Sequence, residues 1–306
     1  MFAGVVACVA TLALGSFVAS ELLTDTVAGL QFLWWVPRLW FIVGGVVLCV
    51  LGVALRRTST IAWWSLIAAL LLLARGAYLD WGCPKPRPIG SFRLVHWNAS
   101  APSPSAVRFA VDALLSTEAD AIVLTDPGAA LRAEHAQRFV DAGFEIVHAG
   151  RFALLSRTKA VEARPILAQR GRHASKFAMI ALDRTIVIEA IDLPSDVELA
   201  RGSIVEALAS QLVLLRSTPP DVAIGDFNIP RRSASLALLY PGFRDSFQSS
   251  GVGWGMSFPR AFPILHIDLT LVGPQWEALR SELIDAGCGR HLLQVVDLAP
   301  ITKDPN

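Results

Sequence analysis

The chain has 306 residues, 53% of them hydrophobic and only 17% charged, with a formal net charge of +1. Ordinary soluble domains carry nearer a quarter charged residues, so the composition excludes a chain solvated evenly along its length. The balanced charge excludes a global field that would gather nucleic acid or anionic lipid.

The apolar excess lies at the start, where Glu21, Asp25, Arg38, Arg56, Arg57, Arg75 and Asp80 are the only charged residues between Met1 and Trp81. Crossing a bilayer takes roughly 17–25 apolar residues, and residues 1–80 are read as a transmembrane region with about three helices, at about 2–20, 35–55 and 58–76. A signal peptide is the alternative for the first run, which lacks a basic leading segment. Trp34 and Trp35 suit an interfacial belt, and Arg56 and Arg57 in the second turn point to the cytoplasm. The expectation is an integral protein of the plasma or inner membrane with its C-terminal domain extracytoplasmic. Residues 81–90, with Pro84, Pro86 and Pro88, read as a stiff Pro-rich linker. Cys8 and Cys49 fall in apolar runs as small hydrophobes, and whether Cys83 and Cys288 pair stays open.

Residues 91–306 read as one domain in which short β-type runs alternate with helices. Strands are expected at Phe92–Trp97, Ala121–Leu124, Phe144–His148, Phe152–Ser156, Phe177–Leu182, Thr185–Ile191, Val222–Gly225, Leu265–Val272 and Leu292–Leu298. Helices are expected at Ser105–Ser116, Ala130–Ala142 and Val197–Arg216, the first from apolar positions Val107, Ala110, Val111 and Leu114 at helical spacing. Such an alternation suggests two packed sheets flanked by helices.

The most specific motif is Gly225-Asp226-Phe227-Asn228, followed by Ile229-Pro230. An extended backbone points alternate side chains the same way, so Asp226 and Asn228 can face one pocket. An Asp there can deprotonate a water and an Asn can position it, although the same four residues also suit a plain turn.

With Arg93-Leu94-Val95-His96-Trp97-Asn98, Asp120-Ala121-Ile122-Val123-Leu124-Thr125-Asp126, Leu155-Ser156-Arg157, Ser257-Phe258-Pro259, His266-Ile267-Asp268 and Gly289-Arg290-His291 in order, the chain from Phe92 to Leu298 resembles the endonuclease/exonuclease/phosphatase superfamily. The resemblance implies a four-layer α/β/β/α sandwich of two mixed sheets with the site at one end. It implies one Mg²⁺ or Mn²⁺ ion held by Asn98 and Asp126, a water activated by Asp226 and oriented by Asn228, and a His291–Asp268 pair contacting the phosphoryl group. Three residues depart from the pattern. Asp126 stands for a Glu, Arg290 for the Asp of Ser-Asp-His, and Asp192 for a His or Tyr that donates to phosphate. Arg290 and Asp192 are therefore read as substrate-binding positions, Arg290 because a guanidinium matches phosphate geometry.

His96, two residues before Asn98, reads as a core or surface histidine before it reads as a site residue, and His266 reads as structural. Arg170, Arg172 and Lys176 form a small basic cluster that reads as an exposed loop before it reads as a patch steering an anionic substrate. Two functions follow. The first is a membrane-anchored metal-dependent phosphoesterase that cleaves phosphodiesters of nucleic acid or phospholipid head groups. The second is a binding or scaffolding module that keeps the fold and has lost turnover.

Overall fold

The computed structural model describes residues 15–36, 60–83, 85–100, 105–169, 171–215 and 218–301, with a few isolated positions besides. Fourteen strands alternate with helices among them. They are β1 (Trp81–Gly82), β2 (Phe92–Asn98), β3 (Ala121–Thr125), β4 (Glu145–Ala149), β5 (Phe152–Ser156), β6 (Ala160–Gln169) and β7 (Arg172–Ala181), then β8 (Arg184–Asp192), β9 (Val222–Asp226), β10 (Arg244–Asp245), β11 (Gly251–Trp254), β12 (Asp268–Val272), β13 (Trp276–Ile284) and β14 (Leu293–Pro300). One sheet has the order β1-β11-β13-β14-β2-β3-β5-β4, the other β10-β12-β9-β8-β7-β6. Both are mixed, since β2 and β3 run parallel in the first and β8 and β9 in the second.

Period-2 alternation builds the layers. In β2, Phe92 and Leu94 face the core between the sheets, where Phe152, Leu154, Phe177, Ile188 and Ile224 meet them. Val95 and Trp97 face outward under α3 (Val107–Ser116) and α4 (Ala133–Asp141). These follow α1 (Gln31–Trp35) and α2 (Thr60–Asp80) in the chain. On the far side, Ala223, Leu269 and Leu271 pack against Val205, Leu208 and Leu212 of α5 (Arg201–Leu215) and Leu236 and Leu239 of α6 (Ala234–Leu239). A last short helix, α7 (Ser246–Ser250), leads into β11. Each buried Leu, Ile or Phe contributes roughly 1.5–3 kcal/mol, so the two-sheet sandwich with helices outside holds itself together.

The N-terminal region departs from expectation. Among the described residues no helix is long and apolar enough to cross a membrane. The transmembrane helices expected ahead of the sandwich and the integral-membrane placement with an extracytoplasmic domain are corrected on that finding, which also leaves the lipid bilayer without support as a partner. Of the spans expected at 2–20, 35–55 and 58–76, residues 2–11, 13–14, 37–39, 41–42, 45–46, 48–55 and 58–59 lie outside the described residues. The described part is bonded to the domain through polar groups. Gln31 donates to the carbonyls of Val197 and Leu199 and accepts from the Arg201 N–H at 3.0 Å. The Trp34 indole donates to Ser233 at 2.7 Å, and Asp25 accepts from the Ser235 N–H and hydroxyl. Glu21 pairs with Arg232, and Asp80, at the end of α2, pairs with Arg231 at 2.7 Å. Within the stretch read as a linker, Trp81 and Gly82 form β1 and extend the first sheet beside Trp254 and Gly253 of β11. Cys83 and Cys288 are both free thiols, one exposed and one buried.

Gly225 has a backbone reason to be glycine. It lies in β9 at φ +151°, and a Cβ there would fall 1.9 Å from the Ile191 carbonyl oxygen of β8. Gly225→Ala is expected to destabilise the protein by about 1–3 kcal/mol, the range for forced overpacking. It should also lower turnover by displacing Asp226, and a urea midpoint equal to the wild type would contradict this.

Candidate functional site

Registers across the two sheets assemble one cluster at their common end. In the second sheet Asp192 of β8 is level with Asp226 of β9, and Asp226 is level with Asp268 of β12. Three carboxylates therefore stand side by side on adjacent strands. In the first sheet Asn98 of β2 is level with Thr125 of β3, and Thr125 with Phe152 of β5. Those pairings bring Asp126 and Arg151, each one residue outside its strand, next to each other. A cleft of about 370 Å³ opens between the two rows, lined by Asn98, Asp126, Arg151, Asp192, Asp226, Asn228, Arg290 and His291 together with the Leu193–Asp196 loop. All eight site residues expected from the sequence lie at this end, and seven of them line the cleft directly. Asp268 sits behind His291.

Asp226 is buried and firmly held. Its Oδ2 accepts from the Asn98 amide at 2.9 Å and its Oδ1 from the Asn228 backbone N–H at 3.0 Å. The Asn228 amide instead donates to the Leu193 carbonyl at 2.8 Å. Asn228 thus fixes the Asp226 carboxylate and the cleft loop, a different arrangement from the water-orienting role expected of it. The Asp268 carboxylate meets His291 Nδ1 at 3.0 Å, and His291 Nε2 lies 3.7 Å from Asp226 Oδ2. Asp268 is steadied in turn, because the Ser257 hydroxyl accepts from its backbone N–H at 3.2 Å, and the Phe258 ring packs 4.8 Å from the imidazole.

Burial pushes Asp226 up to about 8, with the charge of Asp268 adding to it. For His291, burial works against the charged form. Asp268, by charge and hydrogen bond, and then Asp226 outweigh it and hold the imidazole up at about 9. Burial also raises Asp192, to about 6, against the opposing pull of Arg151. The two shifts at Asp226 and His291 express one fact, two acidic groups and one imidazole sharing protons in a dry pocket.

Asp226, Asp268 and His291 each offer an atom within 4.8 Å of the others, which makes them a possible cation site among the described residues. The pair assigned to the metal from sequence, Asn98 and Asp126, fits an ion poorly. Asn98 points its amide N–H at Asp226 and its oxygen at the Ser100 N–H. Asp126 is gripped at both oxygens by Arg151, at 2.5 Å through Nε and through Nη2 as well. A hard cation needs several oxygen ligands at once, and each of these three oxygens already faces a hydrogen-bond donor.

Arg151 is the residue that sequence reasoning missed. It belongs to no motif and follows Asp126 by 25 positions, so only the β3–β5 pairing reveals it. The signal available was its place directly before the Phe152–Ser156 strand. Arg290 lines the cleft with its guanidinium 5.4 Å from the Phe258 ring. His96 is a core residue, driven down to about 4 by burial and bonded to Thr125 at 3.0 Å and Gln294 at 2.9 Å. His266 is buried away from the cleft against Phe247. Of the basic cluster, Lys176 is buried and paired with Glu162 at 2.8 Å, and Arg170 lies outside the described residues.

The Endonuclease/Exonuclease/phosphatase family profile matches residues 93–291. No curated protein matches the sequence. Solved structures of similar fold include an endonuclease/exonuclease/phosphatase family protein from Bacteroides thetaiotaomicron, 15% identical with a TM-score of 0.55, the match covering 70% of this chain and 99% of that one. A mannosyl-6-phosphatase from Bacteroides thetaiotaomicron is 14% identical with a TM-score of 0.51, covering 68% of this chain and all of that one. D. rerio TDP2, solved with a single strand DNA product, is 13% identical with a TM-score of 0.50, covering 68% and 99%. At these identities the likeness is one of fold.

Proposed function

This chain belongs to the endonuclease/exonuclease/phosphatase family, and on that premise we propose that it hydrolyses phosphate esters, with Asp226 as general base and the His291–Asp268 pair contacting the phosphoryl group. The observation that carries the reading is the buried Asp226 carboxylate facing His291 Nε2 at 3.7 Å while Asp268 holds the other ring nitrogen at 3.0 Å. Asp268 fixes the tautomer with a proton on Nδ1 and favours the imidazolium. The domain boundaries at residues 91–306 belong to the same proposal.

In the reaction a water oxygen forms the new bond to phosphorus as its proton passes to Asp226. The ester P–O bond breaks, and its electron pair leaves with the alcohol oxygen, which takes a proton from solvent. The imidazolium donates a hydrogen bond to a phosphoryl oxygen as charge grows there, and Arg290 at the mouth of the cleft supplies a second cation suited to phosphate. Members of the family typically depend on a divalent metal; Asp226, Asp268 and His291 lie close enough together to be a possible site for one, which would require His291 to be neutral and so to give up the proton it carries in these steps. A bound Mg²⁺ or Mn²⁺ would polarise the phosphoryl oxygen. The steps assigned to side chains do not pass through it.

A cleft of about 370 Å³ suits one phosphate ester with a small flanking group. Near-neutral charge argues against tight non-specific duplex binding, which relies on many phosphate contacts. Single-stranded nucleic acid and free head-group phosphodiesters are the substrate classes to test. The experiment assays the full chain on a phosphomonoester, a phosphodiester, a single-stranded oligonucleotide and a glycerophosphodiester, with and without Mn²⁺, beside His291→Ala. The expected result is turnover on at least one ester, reduced about 100-fold or more by His291→Ala. Equal background rates for both proteins on every ester would replace the enzyme by a binding or scaffolding module.

A further inference from the structure

Arg151 and Asp126 form a rigid unit on the first-sheet side of the cleft. The Asp126 N–H donates to the Arg151 carbonyl at 3.0 Å, and the Arg151 guanidinium closes on both Asp126 oxygens. Two backbones locked together and a fork-to-fork carboxylate contact make this the most directional ion pair available to an arginine. The same Nε lies 3.2 Å from Asp192 Oδ2, so one guanidinium bridges two carboxylates that reach it from different sheets. Asp126 adopts φ +50°, a left-handed conformation that Asp tolerates better than most residues.

We propose that Arg151 is the built-in cation of this side of the cleft, taking the place at Asp126 that a divalent ion would otherwise fill. A divalent ion at Asp126 would have to strip away both guanidinium hydrogen bonds and then sit beside a permanent positive charge. Like charges at contact distance in a partly dry cleft repel strongly, and an arginine cannot shed its proton to relieve this. Among the described residues nothing pairs with Arg151 Nη1, whose N–H groups remain available to an anionic oxygen of a bound ester. That last point rests on the phosphoesterase reading. The exclusion of metal from Asp126 does not.

Mn²⁺ titration of the full chain, followed by electron paramagnetic resonance and calorimetry, tests the exclusion without any turnover. Asp126→Asn is expected to leave the Mn²⁺ affinity of the otherwise wild-type protein within about twofold, because Asp126 holds no ion there. Arg151→Ala is expected to add Mn²⁺ binding at least tenfold tighter than anything the wild type shows, and Arg151→Ala with Asp126→Asn to lose that gain. Arg151→Lys, which keeps the charge, is expected to stay near the wild type, and Arg151→Met serves if the alanine variant does not fold. A tenfold loss of wild-type Mn²⁺ affinity in Asp126→Asn, or no gain in Arg151→Ala and Arg151→Met, would overturn the proposal. Either result leaves the hydrolysis reading to its own assay, since that reading stands on Asp226 and His291.

Discussion

Asp226→Asn is expected to lower turnover by about 10²–10⁴-fold, the range for removing a positioned general base, and to abolish the alkaline rise of the rate. Burial and the neighbouring Asp268 push Asp226 up to about 8, so at neutral pH most of the protein carries a protonated base and is idle. The active fraction grows as pH climbs through about 8. His291 is held up at about 9 by Asp268 and Asp226 against its own burial, and it must stay protonated to donate to the phosphoryl oxygen. Activity therefore falls again as pH passes about 9, which places the maximum between the two values as two macroscopic steps of one coupled pair. The measurement is kcat from pH 5 to 10 for both proteins. A wild-type optimum below pH 7, or an Asp226→Asn profile of the same shape as the wild type, would remove Asp226 from the role of base.

Asp226 and Asp268 come together with His291 only through the sheet registers, which no single stretch of sequence displays. Strands β2, β3, β5, β8 and β9 were legible because each is a run of buried apolar residues between turn signals, and every residue of β2, β3, β5 and β9 is buried. Asp226, Asn228, Asp268 and His291 were legible because they stand at strand ends within motifs whose order could be checked. β6 was missed because most of its residues are exposed or only half-buried, Pro165 lies within it, and two register shifts break the alternation that marks a strand. β13 was missed for a similar reason, since Glu277, Arg280 and Glu282 mix with apolar residues and a bulge falls between Ala278 and Arg280. The expected long helix Val197–Arg216 starts only at Arg201, because Val197 and Leu199 give their carbonyls to Gln31, a partner far away in the chain. Pairings of this kind also explain the misreading of the N-terminal segment. Its apolar composition was visible, whereas the bonds from Glu21, Asp25, Gln31 and Trp34 to the domain were not.

Asp297→Ala is expected to be the most damaging change away from the cleft. Arg93 of β2 and Asp297 of β14 are a register pair on the outer face of the first sheet. Their side chains meet twice, Nε to Oδ1 at 2.7 Å and Nη2 to Oδ2 at 2.9 Å, and Nη1 donates to the Thr117 carbonyl at 2.8 Å. Asp297 has no exposed surface and the Arg93 side chain is 9% exposed, so removing the carboxylate strands a buried guanidinium. Breaking a buried pair in this way costs about 3–5 kcal/mol, or roughly 6–20 °C in Tm for a domain of this size. Replacing both partners by leucine is expected to recover most of that loss, because an apolar pair needs no counter-charge. The pair sits near one end of β2 and Asn98 at the other, five residues and about 17 Å away at the rise of an extended strand. Well below its melting temperature, Asp297→Ala should therefore keep the kcat of the wild type while its urea midpoint falls. A variant that is fully folded by circular dichroism yet loses turnover would show that the lock between β2 and β14 sets the position of Asn98 and His291, and that stability and catalysis are coupled through the sheet.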